Sequence, residues 1–314
     1  MQTIERVTFT NWKTVTAVGV TLLFWSSAFA GIRAALQGGY TAGHVVLLRF
    51  LSASIVFLMY AAVKGIRLPE RRDAAKIAFL GFIGISVYHT ALTFGETAVQ
   101  AGTASLIIAV APAFTAVVAA FALGERLTYI GWSGIVVGFV GAGLITFGSG
   151  ESQGFTHGAL LILISAASAS VFFVYQKPLY QKYQPLELTA YFTWFGTLPM
   201  LLFVPGLWQQ MRQASLPATL SAVYIGIFPA AIAYVAWGYA LSKARASTVT
   251  SALYLNPILA IVIAWIWLGE FPKPIAIVGG LAAIAGVVIV SVWGKARAPS
   301  APASVEKPST RELT

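Results

Sequence analysis

The sequence predicts an all-α integral membrane protein with ten transmembrane helices, arranged as two five-helix repeats of inverted topology. Composition is the first observation behind this prediction: 58% of the 314 residues are hydrophobic and only 10% are charged. Soluble chains contain about 45–50% apolar and about 25% charged residues. A single buried core therefore cannot hold the additional apolar residues of this chain. Long apolar segments and an internal repeat are the other two observations. Composition alone excludes a soluble enzyme and a nucleic-acid-binding domain.

Ten apolar segments are long enough to cross a bilayer core, which is about 30 Å thick and needs about 20 residues per helix. These spans, numbered 1 to 10, are predicted at 14–37, 41–63, 75–97, 101–124, 128–148, 156–178, 186–204, 217–241, 247–268 and 273–293. Lys13, an apolar run and Ala28-Phe29-Ala30 also resemble a secretory signal with its cleavage site, but the apolar run continues past them. Residues 294–314 are predicted to form a disordered cytoplasmic tail, because they are rich in Pro, Ala, Ser and charge.

Lysine and arginine are distributed unequally between the two sides of the predicted bundle. Fourteen of them lie in the N-terminal tail or beside the loops that follow even-numbered spans, whereas only Arg212 and Lys273 follow odd-numbered spans. We call these two sides the even end and the odd end. Cytoplasmic loops carry the excess of Lys and Arg. The N-terminal tail 1–13 and the C-terminus are therefore predicted to be cytoplasmic, in a multi-pass inner (plasma) membrane protein.

The segment from Pro112 to Glu125 recurs 145 positions later, from Pro257 to Glu270, with Leu-Gly-Glu at the end of each copy. The same offset relates three pairs of glycines: Gly81 with Gly226, Gly134 with Gly279, and Gly141 with Gly286. This offset moves the chain by five spans, so equivalent helices cross the membrane in opposite directions. Residues 1–148 and 149–293 are thus predicted to be inverted repeats, an arrangement typical of secondary transporters.

The doubled Pro…Leu-Gly-Glu pattern, each time followed by a glycine-rich helix, resembles the drug/metabolite transporter superfamily, EamA type, over residues 14 to 293. Tyr88-His89 in span 3 and the aromatic run from Tyr234 to Tyr239 in span 8 resemble its aromatic amino-acid exporter branch, which is YddG-like. The resemblance implies export of amino acids or similar metabolites through a cavity between two helix bundles.

Polar and aromatic residues near the middle of spans 3 and 8 are the first candidates for substrate binding. Polar groups at this depth are costly, so each marks a packed or wet interior. The repeat relates His89 to Tyr234, while Tyr88 adjoins His89 and Trp237 shares a face with Tyr234. This set offers polar contacts for a substrate's head group and ring faces for its side chain. The alternative is that His89 bonds a neighbouring helix and the rings only pack.

The two repeat-related prolines, Pro112 and Pro257, are predicted to bend spans 4 and 9, because each leaves the carbonyl four residues earlier without its helical donor. Interrupted helices at equivalent depth point to a transporter site. Ser251, Tyr254 and Asn256 surround the second bend and are predicted to contact substrate. Kinks that local contacts repair are the alternative.

Several polar residues lie elsewhere in the spans. Trp25 in span 1 is predicted to contact substrate, although the adjacent serines can equally bond their own backbone. Arg49 is only about eight residues into span 2 by position, so it is predicted to snorkel to the surface or to pair with Glu96. Glu125 and Glu270 end their helices at opposite faces and are predicted to have structural or gating roles. The glycine faces of spans 5 and 10 permit packing or homodimer formation.

Motifs for other chemistry are missing from the sequence. It has no phosphate-binding Gly-x-x-x-x-Gly-Lys, no His-Glu-x-x-His and no cysteine, so neither an ATP-driven pump nor an enzyme is predicted, and no cofactor or metal. The predicted partners are a small-molecule substrate and the lipid bilayer, without nucleic acid, the chain being a monomer or a homodimer. The predicted function is export of neutral, especially aromatic, amino acids by alternating access. Export of another metabolite or drug, and a passive small-solute channel, remain alternatives.

Overall fold

A computed structural model describes residues 12–122, 127–148, 153–243, 249 and 252–294. These residues are predominantly helical and contain no β-strand. The predictions made for Glu125, Ser251 and the tail 295–314 fall outside the described residues.

Fourteen α-helices are described, and several predicted spans contain two of them. They are α1 Trp12–Gln37, α2 Ala42–Lys64, α3 Arg71–Gly81, α4 Tyr88–Gly95, α5 Ala101–Ile108, α6 Ala111–Ala122, α7 Tyr129–Gly148, α8 Gln153–Gln176, α9 Pro185–Met200, α10 Leu207–Gln213, α11 Leu216–Ile225, α12 Ala233–Lys243, α13 Asn256–Leu268 and α14 Pro274–Trp293. Short 3₁₀ turns extend α8 over Lys177–Gln181 and α9 over Leu201–Phe203, and another, Ala252–Leu255, precedes α13.

Eight helices within the described residues are long and apolar enough to cross a membrane. A ninth is reached if Pro185–Phe203 and Leu207–Gln213, which meet at 82°, form one broken span. The helix Ala252–Leu268, in predicted span 9, is apolar but shorter. Large apolar side chains remain exposed along the outer faces of the bundle, as on α7 and α14, where lipid would cover them. The all-α multi-pass membrane fold is confirmed, while the count of ten is matched only when the bent and the short helix are included.

Spans 3 and 8 contain a π-helical segment at the same place in each repeat. These segments are Phe82–Val87, between α3 and α4, and Gly226–Ile232, between α11 and α12. Each segment ends two residues before a residue predicted to line the site, His89 in one repeat and Tyr234 in the other. Such π-helical turns are frequent at functional sites.

Helices α7 and α14 are equivalent in the two repeats and pack directly on each other. A Cβ at Gly134 would lie 2.7 Å from the carbonyl oxygen of Gly286, and a Cβ at Gly279 would lie 2.7 Å from that of Gly141. Gly134 near the start of α7 thus faces Gly286 near the end of α14, so the two helices run antiparallel. The glycine faces of α7 and α14 thus allow close packing within the chain. Equivalent helices of inverted repeats cross the membrane in opposite directions, as these two antiparallel helices do.

Candidate functional site

A cavity of about 350 Å³ lies in the middle of the bundle, within the range of small-molecule sites. The structure brings nearly all of the predicted binding residues to its wall. They are Trp25, Tyr88, His89, Tyr234, Trp237, Tyr254 and Asn256, together with the predicted bending residues Pro112 and Pro257. Ser251, the remaining member of the predicted set, lies outside the described residues.

His89 and Tyr234 meet at the centre of this cavity. Nε2 of His89 is 3.0 Å from the Tyr234 hydroxyl, and both side chains are at least nine-tenths buried. Their backbones are held in place by the π-helical turns and by the hydroxyl of Ser165, which donates a hydrogen bond to the carbonyl of Tyr88 at 2.9 Å. The other imidazole nitrogen, Nδ1 of His89, is buried without a hydrogen-bond partner.

Aromatic rings form one wall of the cavity. The ring centroid of Trp25 lies 5.1 Å from that of Tyr234 and 5.2 Å from that of Trp237. The indole N–H of Trp25 donates to the carbonyl of Pro229 at 3.2 Å, inside the π-helical turn of span 8. Centroid separations of this size are favourable for aromatic pairs. The ring faces in this wall are apolar, and the hydrogen bond to Pro229 fixes the indole of Trp25. Such a wall suits an apolar or aromatic side chain of a substrate.

Spans 4 and 9 are interrupted at equivalent depth. Span 4 ends as a helix at Ile108 and restarts at Ala111, and span 9 changes from a 3₁₀ turn to helix α13 at Asn256. Pro112 and Pro257 therefore stand in the first turn of a new helix, where a missing N–H is tolerated, instead of bending a continuous one as predicted. The hydroxyl of Ser26 donates to Oδ1 of Asn256 at 2.8 Å, which ties span 1 to the second interruption.

Arg49 lines the cavity, whereas the sequence predicted that it would snorkel to the surface or pair with Glu96. Its side chain is only 2% exposed and faces the cavity, so it does not snorkel to the surface. It does not pair with Glu96 either: Nε and Nη1 of Arg49 and both carboxylate oxygens of Glu96 are buried without hydrogen-bond partners. The prediction was wrong because position along a span does not reveal which neighbours cover it. The arginine inside an otherwise apolar span was the signal that could have marked it.

A polar network around Glu270 lies at the odd end of the bundle. Arg33 donates from Nε to Oε1 of Glu270 at 2.9 Å, and from Nη1 to the carbonyl of Glu96 at 2.8 Å. The carboxylate of Glu270 also accepts from Gln37 at 2.9 Å and from the backbone N–H of Ala101 at 3.2 Å. These contacts, which we call the odd-end network, join the ends of spans 1, 3, 4 and 9. The structural or gating role of Glu270 stays a prediction.

The cavity continues towards the even end. Its lining there includes Leu127, Lys177 and Ser291, of which Lys177 and Ser291 are exposed. The hydroxyls of Ser291 and Tyr254 are 2.5 Å apart. Within the described residues the cavity wall carries two cationic side chains, Arg49 and Lys177, and no carboxylate. Among the described residues, the site is thus positively charged and aromatic, and its lining reaches exposed residues at the even end.

Comparison with known proteins assigns the chain to a family. The sequence profile of the EamA-like transporter family matches residues 12–147 and again residues 156–292. The chain is 41% identical over 263 residues to the "Uncharacterized transporter YdfC" of Bacillus subtilis (strain 168), covering 84% of this chain and 86% of that protein. The fold, the doubled profile and this similarity define a multi-pass membrane transporter. The chain belongs to the EamA-like transporter family.

Two further similarities concern export and fold. The chain is 40% identical over 292 residues to the "Probable terminal-alkyne amino-acid exporter" of Streptantibioticus cattleyicolor, covering 92% of this chain and 98% of that protein. A solved crystal structure aligns with a TM-score of 0.62 at 18% identity, covering 89% of this chain and 98% of the other. At that identity the crystal structure speaks only for the fold.

Proposed function

We propose that this protein exports neutral amino acids, aromatic ones among them, or closely similar small metabolites, by alternating access. The observation that carries the proposal is the central cavity, whose aromatic wall and cationic groups suit a small carboxylate-bearing solute with an apolar side chain. The name of the relative from Streptantibioticus cattleyicolor, a probable amino-acid exporter, supports the same substrate class.

Alternating access is supported by the difference between the two ends of the bundle. The odd-end network joins four spans at one end, whereas the cavity extends to exposed residues at the other. A carrier passes through such one-sided states, and two repeats, proposed as residues 1–148 and 149–293, would exchange roles to open the opposite end. A passive channel requires an open path through both ends.

The excess of Lys and Arg at the even end favours a cytoplasmic position for that end under the positive-inside rule. We propose an inner (plasma) membrane location with both termini cytoplasmic. The described conformation is then inward-facing, ready to accept a cytoplasmic solute for export.

Export is proposed to be facilitated, with the substrate gradient as its driving force and no catalytic step. His89 is the ionisable group at mid-depth with a pH range suited to proton transport, but its surroundings are aromatic rings and a hydroxyl. With these neighbours, His89 is proposed to act as a hydrogen-bond partner and not as a proton carrier.

The experiment uses purified protein in proteoliposomes loaded with labelled phenylalanine, leucine or threonine, with and without an imposed pH gradient. Saturable downhill efflux that the pH gradient does not change is expected. Absence of transport for all three amino acids would contradict the substrate class. Uphill accumulation that the gradient drives, and that His89→Gln abolishes while downhill exchange survives, would contradict facilitated export.

A further inference from the structure

The guanidinium of Arg49 is a buried cation that forms no ion pair at contact distance with any carboxylate of the described residues. It is 2% exposed, its Nε and Nη1 have no hydrogen-bond partner, and none of the ion pairs among the described residues includes it. Arginine is almost never fully buried unless it is paired, and an unpaired charge in the membrane interior is costly. The cost is removed if an anion from outside the chain occupies the space that Arg49 faces.

That space is the central cavity, next to its aromatic cluster. The guanidinium carbon of Arg49 lies 5.4 Å from the ring centroid of Phe50, and the Phe50 ring lies 4.6 Å from that of His89. His89 in turn contacts Tyr234. The side chain of Arg49 therefore lies beside the aromatic cluster of the cavity wall, and no carboxylate of the described residues lines the cavity to compete for its donors.

We propose that Arg49 binds the carboxylate of the transported molecule. A guanidinium offers two parallel N–H donors that match the two oxygens of a carboxylate, and among the described residues of the cavity wall no other side chain has this geometry. The substrate class is then monocarboxylates with an apolar or aromatic body, amino acids included, whereas the corresponding amines without a carboxylate are poor ligands. This inference rests on the proposed function only in placing the transported solute in this cavity.

Glu96 is the internal competitor for Arg49. Its carboxylate is fully buried and both oxygens lack partners, so a rearrangement of spans 2 and 3 would allow it to pair with Arg49. If Arg49 served only that pairing, Glu96→Gln would have the same effect as Arg49→Gln, and both would affect all ligands equally.

The test measures ligand binding in detergent, through quenching of tryptophan fluorescence, because Trp25 and Trp237 line the cavity. The probes are phenylalanine, 3-phenylpropionate, which lacks the amino group, and phenethylamine, which lacks the carboxylate. Wild-type protein is expected to bind the two carboxylates about tenfold or more tightly than phenethylamine. In Arg49→Gln this preference should disappear, and Arg49→Lys should retain part of it. Arg212→Gln, at an exposed arginine stacked on Trp208, is the matched control and should retain the preference.

Equal affinity of the wild type for all three probes would overturn the inference, as would an equal loss for all three in Arg49→Gln. Size-exclusion chromatography reports whether Arg49→Gln folds, and if it does not, the wild-type preference and Arg49→Lys decide the question. Failure of the proposed function looks different. A wild type that prefers 3-phenylpropionate to phenethylamine but transports no amino acid would contradict amino-acid export and leave the role of Arg49 standing.

Discussion

Nε2 of His89 and the hydroxyl of Tyr234 lie 3.0 Å apart, and these two residues occupy equivalent positions in the two repeats. The contact therefore lies close to the pseudo-two-fold axis that relates the repeats. A residue pair at such an axis touches both halves of the molecule whichever end is open. We expect His89 and Tyr234 to contact the solute and also to join the halves as they exchange conformations.

Tyr234→Phe removes the hydroxyl near His89 and keeps the ring in the cavity wall. A net hydrogen bond contributes about 1 kcal/mol, so we expect the initial rate of phenylalanine transport to fall about fivefold. The rate is measured in proteoliposomes at equal protein density. Tyr60→Phe, at an exposed tyrosine of α2, is the control and should retain the wild-type rate. An unchanged rate in Tyr234→Phe would show that the contact has no part in transport.

Much of this site was predictable from the sequence, and the reason is the repeat. The offset of 145 residues pairs His89 with Tyr234, and the prolines mark the interruptions of spans 4 and 9. The position of Arg49 was predicted wrongly because the direction of a side chain depends on how the helices pack. In an almost wholly apolar span, the sequence pattern does not indicate which face packs inward. The π-helical turns were not predicted either, because their sequences contain no signal that separates them from ordinary helix.

Trp237 is 2% exposed and forms part of the aromatic wall. If that wall holds the substrate's side chain, Trp237→Ala should reduce transport of phenylalanine several-fold more than transport of threonine. Loss of a large buried side chain also destabilises a fold, by about 3–5 kcal/mol, so Trp237→Phe is the milder companion variant.

Trp265→Ala, at an exposed tryptophan of α13, controls for the loss of an indole outside the cavity. Selectivity is read as the ratio of the two initial rates. Equal losses for phenylalanine and threonine, together with poor expression of Trp237→Ala, would assign Trp237 to packing alone.

The odd-end network should hold the protein closed on that side. Glu270→Gln removes the charge that Arg33, Gln37 and the N–H of Ala101 share, and partly buried charge pairs are worth more than exposed ones. Because the chain has no cysteine, a single cysteine at Ser105, which lines the cavity, can report opening. We expect impermeant thiol reagents applied to the odd end to label Ser105→Cys several-fold faster when Glu270→Gln is also present.

Glu70→Gln, which removes the exposed partner of Arg72, should leave this labelling rate unchanged. The charge exchange Arg33→Glu with Glu270→Arg should restore slow labelling. Equal labelling rates of Ser105→Cys with and without Glu270→Gln would show that the odd-end network does not control opening of that end.

The orientation follows from charge distribution and has its own test. Single cysteines replace Arg71 at the even end and Gln209 at the odd end, both of which are exposed. In intact cells, impermeant reagents should label Gln209→Cys and leave Arg71→Cys unlabelled until the membrane is permeabilised, because the Lys- and Arg-rich side faces the cytoplasm. The reverse labelling pattern would contradict the proposed orientation and would show that the even end faces outward.

The central claim is that one cavity opens alternately to the two sides, and counterflow tests it most directly. Proteoliposomes are loaded with unlabelled phenylalanine at high concentration and diluted into a trace of labelled phenylalanine. A carrier exchanges solute through its one-sided states, so the label should accumulate transiently above equilibrium and the uptake rate should saturate with external phenylalanine. Uptake that rises linearly with concentration, without any overshoot, would contradict alternating access and identify a channel.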